Sequence, residues 1–292
     1  MAAYLYSHRL NIPAGVAVPV AAAFLVEISL YAGMNTLALP APVLWASAAL
    51  SYLIYSIPTG VFHWQGLLLL AAATGAAIAW MRYAPPSLAA DAAFVILFAA
   101  LYISKALPDR VYLEPLAKLQ TGALAQLMCF RLAVTCLLRY RSHPDFGFGW
   151  LPTAADWRIG LRYFCYLLPV AMLLVWLLHF RDMRIPRDYY WRAPATFLGI
   201  FFVVALGEEC LFRGLILHRL RAVMPPLAAL MLSSVVFGIT HLWFSPFPNW
   251  KFAILASVCG VFYGSAYLAA RGVRAAMVTH ALTVAAWRTF LA

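Results

Sequence analysis

Two glutamates and one arginine lie within six residues of an otherwise apolar stretch. The segment reads Gly207-Glu208-Glu209-Cys210-Leu211-Phe212-Arg213-Gly214, inside an apolar run from about Ala195 to Leu217. An ionised Glu or Arg at the centre of a membrane costs about 2.5 to 3.5 kcal/mol on an insertion scale. Charged side chains at this density in an apolar run are therefore candidates for chemistry.

Helical spacing separates the roles of the two glutamates. Glu209 and Arg213 are four residues apart, which puts them on one helix face with the acid N-terminal to the base, the favoured order for an ion pair. Glu208 points about 100° away from that face. Without an arginine partner at this spacing, Glu208 suits a general base.

Two histidines follow on later apolar runs. His241 ends the segment Ser233–His241. His241 lies seventeen residues after Met224, and Glu208 lies sixteen residues before Met224. In an antiparallel helical hairpin that turns at Met224, the two side chains share a depth of about 25 Å. A carboxylate and an imidazole that meet there can hold and deprotonate a water. His280 lies some eight residues into the final run, so its expected depth matches less well.

The composition indicates a membrane protein. Hydrophobic residues make up 65% of the 292 residues and charged residues 11%, whereas soluble domains have about 25% charged residues. The net charge of +11 comes from Lys and Arg at the ends of apolar runs, a pattern typical of membrane topology and anionic lipid and not of nucleic-acid binding. The five cysteines form no C-x-x-C motif and are expected to be packing residues.

Runs long enough to span a membrane predict an all-α, polytopic transmembrane helical bundle of about eight to nine spans with a C-terminal four-helix catalytic core. The runs are about 14–33, 43–61, 65–81, 88–104, 163–179, 195–217, 226–244, 252–270 and 275–291. A further run, 122–138, is interrupted by Arg131, so it is either a span whose Arg131 faces the bundle or an amphipathic helix in the interface. Glu27 and Asp91 are expected to be interfacial or hydrogen-bonded.

Three segments follow from this pattern. We predict an N-terminal transmembrane bundle over residues 1–106, a polar or interfacial connector with one span over 107–194, and the catalytic core over 195–292. Within the core, Ala256, Gly260 and Gly264 form a small-residue ladder, which lets neighbouring helices pack closely.

The C-terminal motifs resemble those of a known family. The order G-E-E-x-x-x-R at Gly207–Arg213, F-x-x-x-H at Phe237–His241 and a final histidine, His280, on successive spans resembles the CAAX-type intramembrane endopeptidases and bacteriocin-processing proteins. The resemblance covers about residues 195–292.

The resemblance implies a role for each matching residue. Glu208 would be the general base that activates water, with His241 assisting, and Glu209 with Arg213 would form the ion pair that shapes the site. His280 would donate to the oxyanion of the tetrahedral intermediate. It also implies a glutamate-type endopeptidase without a cofactor, acting in a multi-pass membrane protein on a peptide or protein substrate that can be lipidated.

One position departs from the family pattern. The family has Asn or Asp four residues after the last histidine, where this chain has Val284. Loss of one oxyanion donor costs about 10² to 10³ in rate in a comparable hydrolase. Thr283 is the neighbouring side chain that we expect to replace the missing donor in part.

Two alternatives from other functional classes stay open. Glu208, His241 and His280 form a possible zinc ligand set, although no H-E-x-x-H motif is present. A non-hydrolytic scaffold, immunity or transport protein could use the same cavity to hold a peptide or an ion. The expected partners are membrane lipids and a peptide, without nucleic acid, and the expected location is the inner (cytoplasmic) membrane of a bacterium.

Overall fold

The computed structural model describes residues 12–32, 40–104, 106–117, 119–141, 147–180, 185–244 and 246–291. Over these ranges all regular structure is helical, which confirms the all-α prediction. Among the described residues, seven helices are long and apolar enough to cross a membrane, and two shorter apolar helices accompany them. This number is close to the eight or nine spans expected, and it identifies a multi-pass membrane protein.

The chain forms two compact units, Met1–Asp145 and Phe146–Ala292. The first contains α1 (Ala14–Ala32), α2 (Ala41–Ser56), α3 (Trp64–Tyr83), α4 (Leu88–Ile103), the short α5 (Ala106–Arg110) and α6 (Gly122–Tyr140). The functional division into three segments stays a prediction.

Helix α6 resolves the two interpretations of the Arg131 segment. It is the most buried of the seven candidate spans, and Arg131 is buried within the first unit. The Arg131 guanidinium pairs with Glu27 on α1 and donates hydrogen bonds to Ser47 on α2, at 3.1 Å to Oγ and 3.0 Å to the carbonyl oxygen. The arginine therefore faces the bundle and joins three helices, and Glu27 is a fully buried partner and not an interfacial residue.

The second unit holds the helices that carry the family motifs. These are α7 (Ala154–Leu177), α8 (Tyr189–Leu220), α9 (Pro226–Ile239), α10 (Trp250–Ala270) and α11 (Val273–Phe290). A tight helical turn, Thr240–Trp243, extends α9. Helix α11, where the sequence predicted a span at 275–291, is not among the seven candidate spans, and it packs against α7, α8 and α10. The four core helices predicted from the sequence are thus joined by α7, which contacts both α10 and α11.

Short-range polar contacts fix the start of α7. Thr153 and Asp156 form a reciprocal cap, in which each side chain accepts a hydrogen bond from the other residue's backbone N–H. Asp156 also pairs with Arg274 at 3.0 Å, which ties the first turn of α7 to the first turn of α11.

The Arg131 pair generates a stability prediction for the first unit. Replacing Glu27→Leu leaves the Arg131 charge buried without its carboxylate, which should lower the free energy of unfolding by about 3 to 5 kcal/mol. Denaturant unfolding in detergent micelles, followed by circular dichroism, measures the change. The double variant Glu27→Leu/Arg131→Leu removes both charges and should recover most of the loss; a single variant as stable as the parent would contradict the argument.

Candidate active site

Helix α8 carries the paired glutamates between two unusually wound stretches. Residues Ile200–Ala205 and Cys210–Leu217 follow the wider i→i+5 hydrogen-bond pattern, on either side of one ordinary turn at Leu206–Glu209. The Leu206 N–H donates to the Phe201 carbonyl, five residues earlier. Such widened turns are rare in proteins and are frequent at functional sites.

Glu209 is the centre of the polar contacts. Its side chain is fully buried, and its Oε1 lies 3.2 Å from Arg213 Nη1 and 2.7 Å from His280 Nδ1. Because an ionised carboxylate only accepts hydrogen bonds, the Nδ1 atom of His280 must carry the proton in this contact. Arg213 also donates to the Gly260 carbonyl on α10 at 3.1 Å. One carboxylate therefore joins α8 to α11, and through Arg213 to α10.

His280 also faces the second glutamate. Its Nε2 lies 3.8 Å from Glu208 Oε2, beyond direct hydrogen-bond distance. A polar gap of this length is one that a bridging water can fill. The Glu208 side chain is 13% exposed, whereas that of Glu209 has no exposed area, although the Oε2 atom of Glu208 that faces His280 is itself buried.

The packing of α11 explains how His280 reaches this depth. Thr279 donates to the Gly160 carbonyl on α7 at 3.0 Å, and a Cβ added at Gly160 would lie 2.6 Å from Val278 Cγ1. At the first residue of α11, the Val273 N–H donates to the Gly147 carbonyl at 3.1 Å. Gly147 has a φ of 73°, a left-handed conformation that favours glycine. The start of α11 is therefore packed against α7 and the Gly147 backbone. Counting residues from the loop predicted a poor depth match for His280, yet its imidazole lies beside both glutamates.

His241 lies at the end of α9, half-buried, with one ring nitrogen occupied. Its Nδ1 is 2.8 Å from the Phe237 carbonyl, which leaves Nε2 for other partners. The imidazole interacts electrostatically with both Glu208 and His280. Its ring stacks on Phe244, with centroids 5.3 Å apart and planes at 14°. The depth match expected for Glu208 and His241 therefore does bring the two side chains near each other.

Aromatic rings surround the charged groups. The Arg213 guanidinium carbon lies 4.5 Å from the Phe237 ring centre and 5.3 Å from that of Tyr263. Phe237 also contacts both imidazoles, at 4.7 Å to His241 and 6.0 Å to His280. Tyr263 stacks on His280, with centroids 4.6 Å apart and planes at 12°. Sequence reasoning identified Phe237 and missed Tyr263, whose only signal was its place beside Gly264 in the small-residue ladder.

The residues after His280 differ in what they can offer. Thr283 donates its hydroxyl proton to the Thr279 carbonyl of its own helix at 2.8 Å, so that proton is already in use. Val284 is half-buried and has no polar atom in its side chain. Arg288, two turns beyond His280 on α11, interacts electrostatically with Glu208. The sequence analysis missed Arg288, although an arginine late in the final apolar run was a visible signal.

The geometry gives no support to the zinc alternative. In the ranges described above, no three His, Cys, Asp or Glu side chains form a group that could hold a metal ion. The Nδ1 atoms of both imidazoles contact protein oxygens, from Glu209 and Phe237. That the site works without a cofactor stays a prediction.

Glycines set the distance between α9 and α10. A Cβ at Gly260 would lie 3.1 Å from Ser234 Cα, and a Cβ at Gly264 would overlap Leu230 on α9. Gly238, next to Phe237, is tighter still, because an added Cβ would overlap Ser257 Oγ and the Ala253 carbonyl of α10. Close backbone approach here brings Phe237 and His241 to Arg213 and His280.

Comparison with known proteins agrees with the motif analysis over the last third of the chain. Residues 190–286 match the family model described as Type II CAAX prenyl endopeptidase Rce1-like. The match confirms the resemblance to the CAAX-type family for this segment, and it indicates a membrane protease. All seven residues singled out from the sequence lie inside it, and Arg288 lies two residues beyond. No curated protein and no solved structure matches the chain.

The packing at Gly238 generates a second prediction. Gly238→Ala should push α9 away from α10 and lower the free energy of unfolding by about 1 to 3 kcal/mol, the usual cost of overpacking. Thermal unfolding in detergent measures the loss. Gly15→Ala is the matched control, because a Cβ there meets no atom within 4 Å. Equal stability of the two variants would show that the close approach does not matter.

Proposed function

We propose that this chain is an intramembrane endopeptidase of the CAAX type, taking as premise the match of residues 190–286 to the Rce1-like family. It hydrolyses a peptide bond near the membrane surface with a water activated by Glu208 and His241. The observation that carries the proposal is the double contact of His280, at 2.7 Å to Glu209 and 3.8 Å to Glu208, inside a buried aromatic frame. Membrane lipids and a peptide, lipidated or not, are the partners that this function requires.

The charges suggest a division of labour between the two glutamates. Glu209 binds Arg213 and contacts Nδ1 of His280, which turns Nε2 of the imidazole toward Glu208. In the proposed reaction His280 carries a proton on both ring nitrogens, so that an Nε2–H faces the space beside Glu208. Glu209 and Arg213 therefore act as positioning residues, whereas Glu208, His241 and His280 touch the reacting atoms.

The proposed reaction needs only groups of this chain and a water. Glu208 removes a proton from the water while the water oxygen bonds to the peptide carbonyl carbon, and the carbonyl electron pair moves to its oxygen. The Nε2–H of His280 donates to that oxyanion. The C–N bond then breaks as the carbonyl re-forms, and the proton on Glu208 passes to the leaving amine.

Arg288 is the proposed replacement for the polar group that Val284 lacks. Its side chain is exposed, it interacts with Glu208, and it lies one turn beyond Val284 on α11. A guanidinium there can add positive charge where negative charge develops on the substrate. In the proposed reaction, Arg288 would thus supply part of what the family's Asn or Asp supplies at position 284.

A non-hydrolytic scaffold, immunity or transport protein is the second candidate, and Val284 is the observation that favours it. An apolar side chain at this position removes a donor that hydrolysis uses in the family. The two candidates differ in what happens when the proposed base is removed.

Glu208→Gln keeps the shape of the side chain and removes the base, so cleavage should fall below detection at equal expression. Mass spectrometry of new protein termini in membrane fractions, compared between parent and variant, measures this without knowledge of the substrate. Glu114→Gln makes the same chemical change on an exposed side chain and should leave the terminal profile unchanged. Identical profiles for the parent and Glu208→Gln would favour the non-hydrolytic candidate.

Arg288→Ala should lower kcat/KM by about 10²-fold on a peptide taken from the identified termini, in line with the loss of one oxyanion-stabilising group. Arg288→Lys keeps the charge and should retain part of the rate. Arg221→Ala, an exposed arginine just beyond the C-terminal end of α8, serves as the control. If Arg288→Ala and Arg221→Ala have the same activity, Arg288 has no part in the reaction.

A further inference from the structure

The first unit contains a groove that the proposed peptidase chemistry does not use. It has a volume of about 690 Å³ and lies along the first two turns of α3, beside α5. Four polar residues line one end of it, and they are His63, Gln65, Asp109 and Arg110. Three apolar residues of α3 continue from there, Leu68, Leu69 and Ala72. Leu113, three residues beyond Arg110, is the eighth lining residue, so the end near α5 carries the polar groups together with one leucine, and the rest of the lining is apolar.

The lining residues of α3 form a continuous stripe on one helix face, with Gln65 at its polar end and three apolar residues after it. Gln65, Leu68, Leu69 and Ala72 have the spacing i, i+3, i+4 and i+7, which aligns them along the axis of α3. Leu68 is 60% exposed and Leu69 41% exposed, so the stripe is open to its surroundings. From Gln65 to Ala72 the stripe extends about 10 Å.

The polar end lies at the expected boundary of the membrane. Helix α3 has 20 residues and is one of the seven candidate spans, and 20 residues of α-helix cover the roughly 30 Å of the hydrocarbon layer. Its first residue, Trp64, is mostly exposed, as tryptophans of the membrane interface are. The stripe therefore descends from headgroup level into the hydrocarbon layer.

The polar end has a fixed backbone. The His63 imidazole Nε2 lies 2.7 Å from the Arg110 carbonyl oxygen and joins the α2–α3 connection to α5. Tyr52 adds two hydrogen bonds, donating to the His63 carbonyl at 2.8 Å and accepting from its N–H at 3.0 Å. Arg110 is held here through its backbone carbonyl, and the Asp109 and Arg110 side chains are exposed.

We propose that this groove binds a zwitterionic phospholipid with an amine headgroup, of the phosphatidylethanolamine class. Asp109 and Arg110 are adjacent in sequence, carry opposite charges and both line the polar end. The Arg110 guanidinium binds the phosphate and the Asp109 carboxylate binds the ammonium group. One acyl chain lies along Leu68, Leu69 and Ala72. A single anionic lipid headgroup would satisfy Arg110 and leave Asp109 opposed to its charge.

Native mass spectrometry of the purified full-length protein tests the proposal. The probes are dioleoyl phosphatidylethanolamine and dioleoyl phosphatidylglycerol, each added at equal concentration to protein in detergent. The parent should retain the ethanolamine lipid in preference. Arg110→Ala should lower its occupancy about tenfold, since a hydrogen bond to a charged group is lost, and Asp109→Asn should shift the preference toward the glycerol lipid.

Two further variants keep the test specific to the groove. Leu68→Asn puts a polar group in the apolar stripe and should weaken both lipids. Arg82→Ala removes an exposed arginine in the last turn of the same helix, outside the groove, and should change neither. Equal occupancy in Arg110→Ala and Arg82→Ala would overturn the site. Equal retention of the two lipids by the parent, with no effect of Asp109→Asn, would overturn the headgroup assignment.

Discussion

A single buried carboxylate, that of Glu209, holds the second unit's polar core together. Removing an ion from water costs several kcal/mol even after the surroundings relax, so a Glu209 without close partners would not be tolerated at full burial. Arg213 and His280 supply those partners through the same oxygen atom. The free-energy cost of burying the Glu209 carboxylate therefore constrains the fold. Helices α8, α10 and α11 must meet at Glu209 so that Arg213 and His280 can compensate its charge.

Two of the buried ion pairs, Glu27–Arg131 and Glu209–Arg213, have similar chemistry and different surroundings. In the first unit, Arg131 satisfies its donors with Glu27 and with both oxygens of Ser47, and no solvent reaches the pair. In the second unit, the Glu209–Arg213 pair extends through His280 toward Glu208, whose side chain is 13% exposed. The first pair links three helices of a bundle. The second pair ends at a partly exposed acid and can also control where a proton lies.

Local spacing was enough to predict much of this arrangement. The four-residue separation of Glu209 and Arg213 predicted their ion pair, and the equal distances of Glu208 and His241 from the Met224 turn predicted their proximity. Contacts between residues distant in sequence were beyond this reasoning. The bond from His280 to Glu209, the stacking of Tyr263 and the interaction of Arg288 with Glu208 depend on how α11 is seated against its neighbours. The Arg131 segment was ambiguous for the same reason, because its partner Glu27 lies 104 residues away.

The wide winding of α8 has a consequence for how this site can change in evolution. A turn with i→i+5 bonding accommodates one residue more than an ordinary turn, so it is equivalent to an insertion that the helix absorbs locally. Deleting one residue from Ile200–Ala205 would convert the widened turn into an ordinary one, and the preceding part of the helix would keep its orientation relative to Glu208. The length of α8 before the paired glutamates can thus change by one residue in a single genetic step, without turning the helix face that carries Glu208 and without altering any residue of the site.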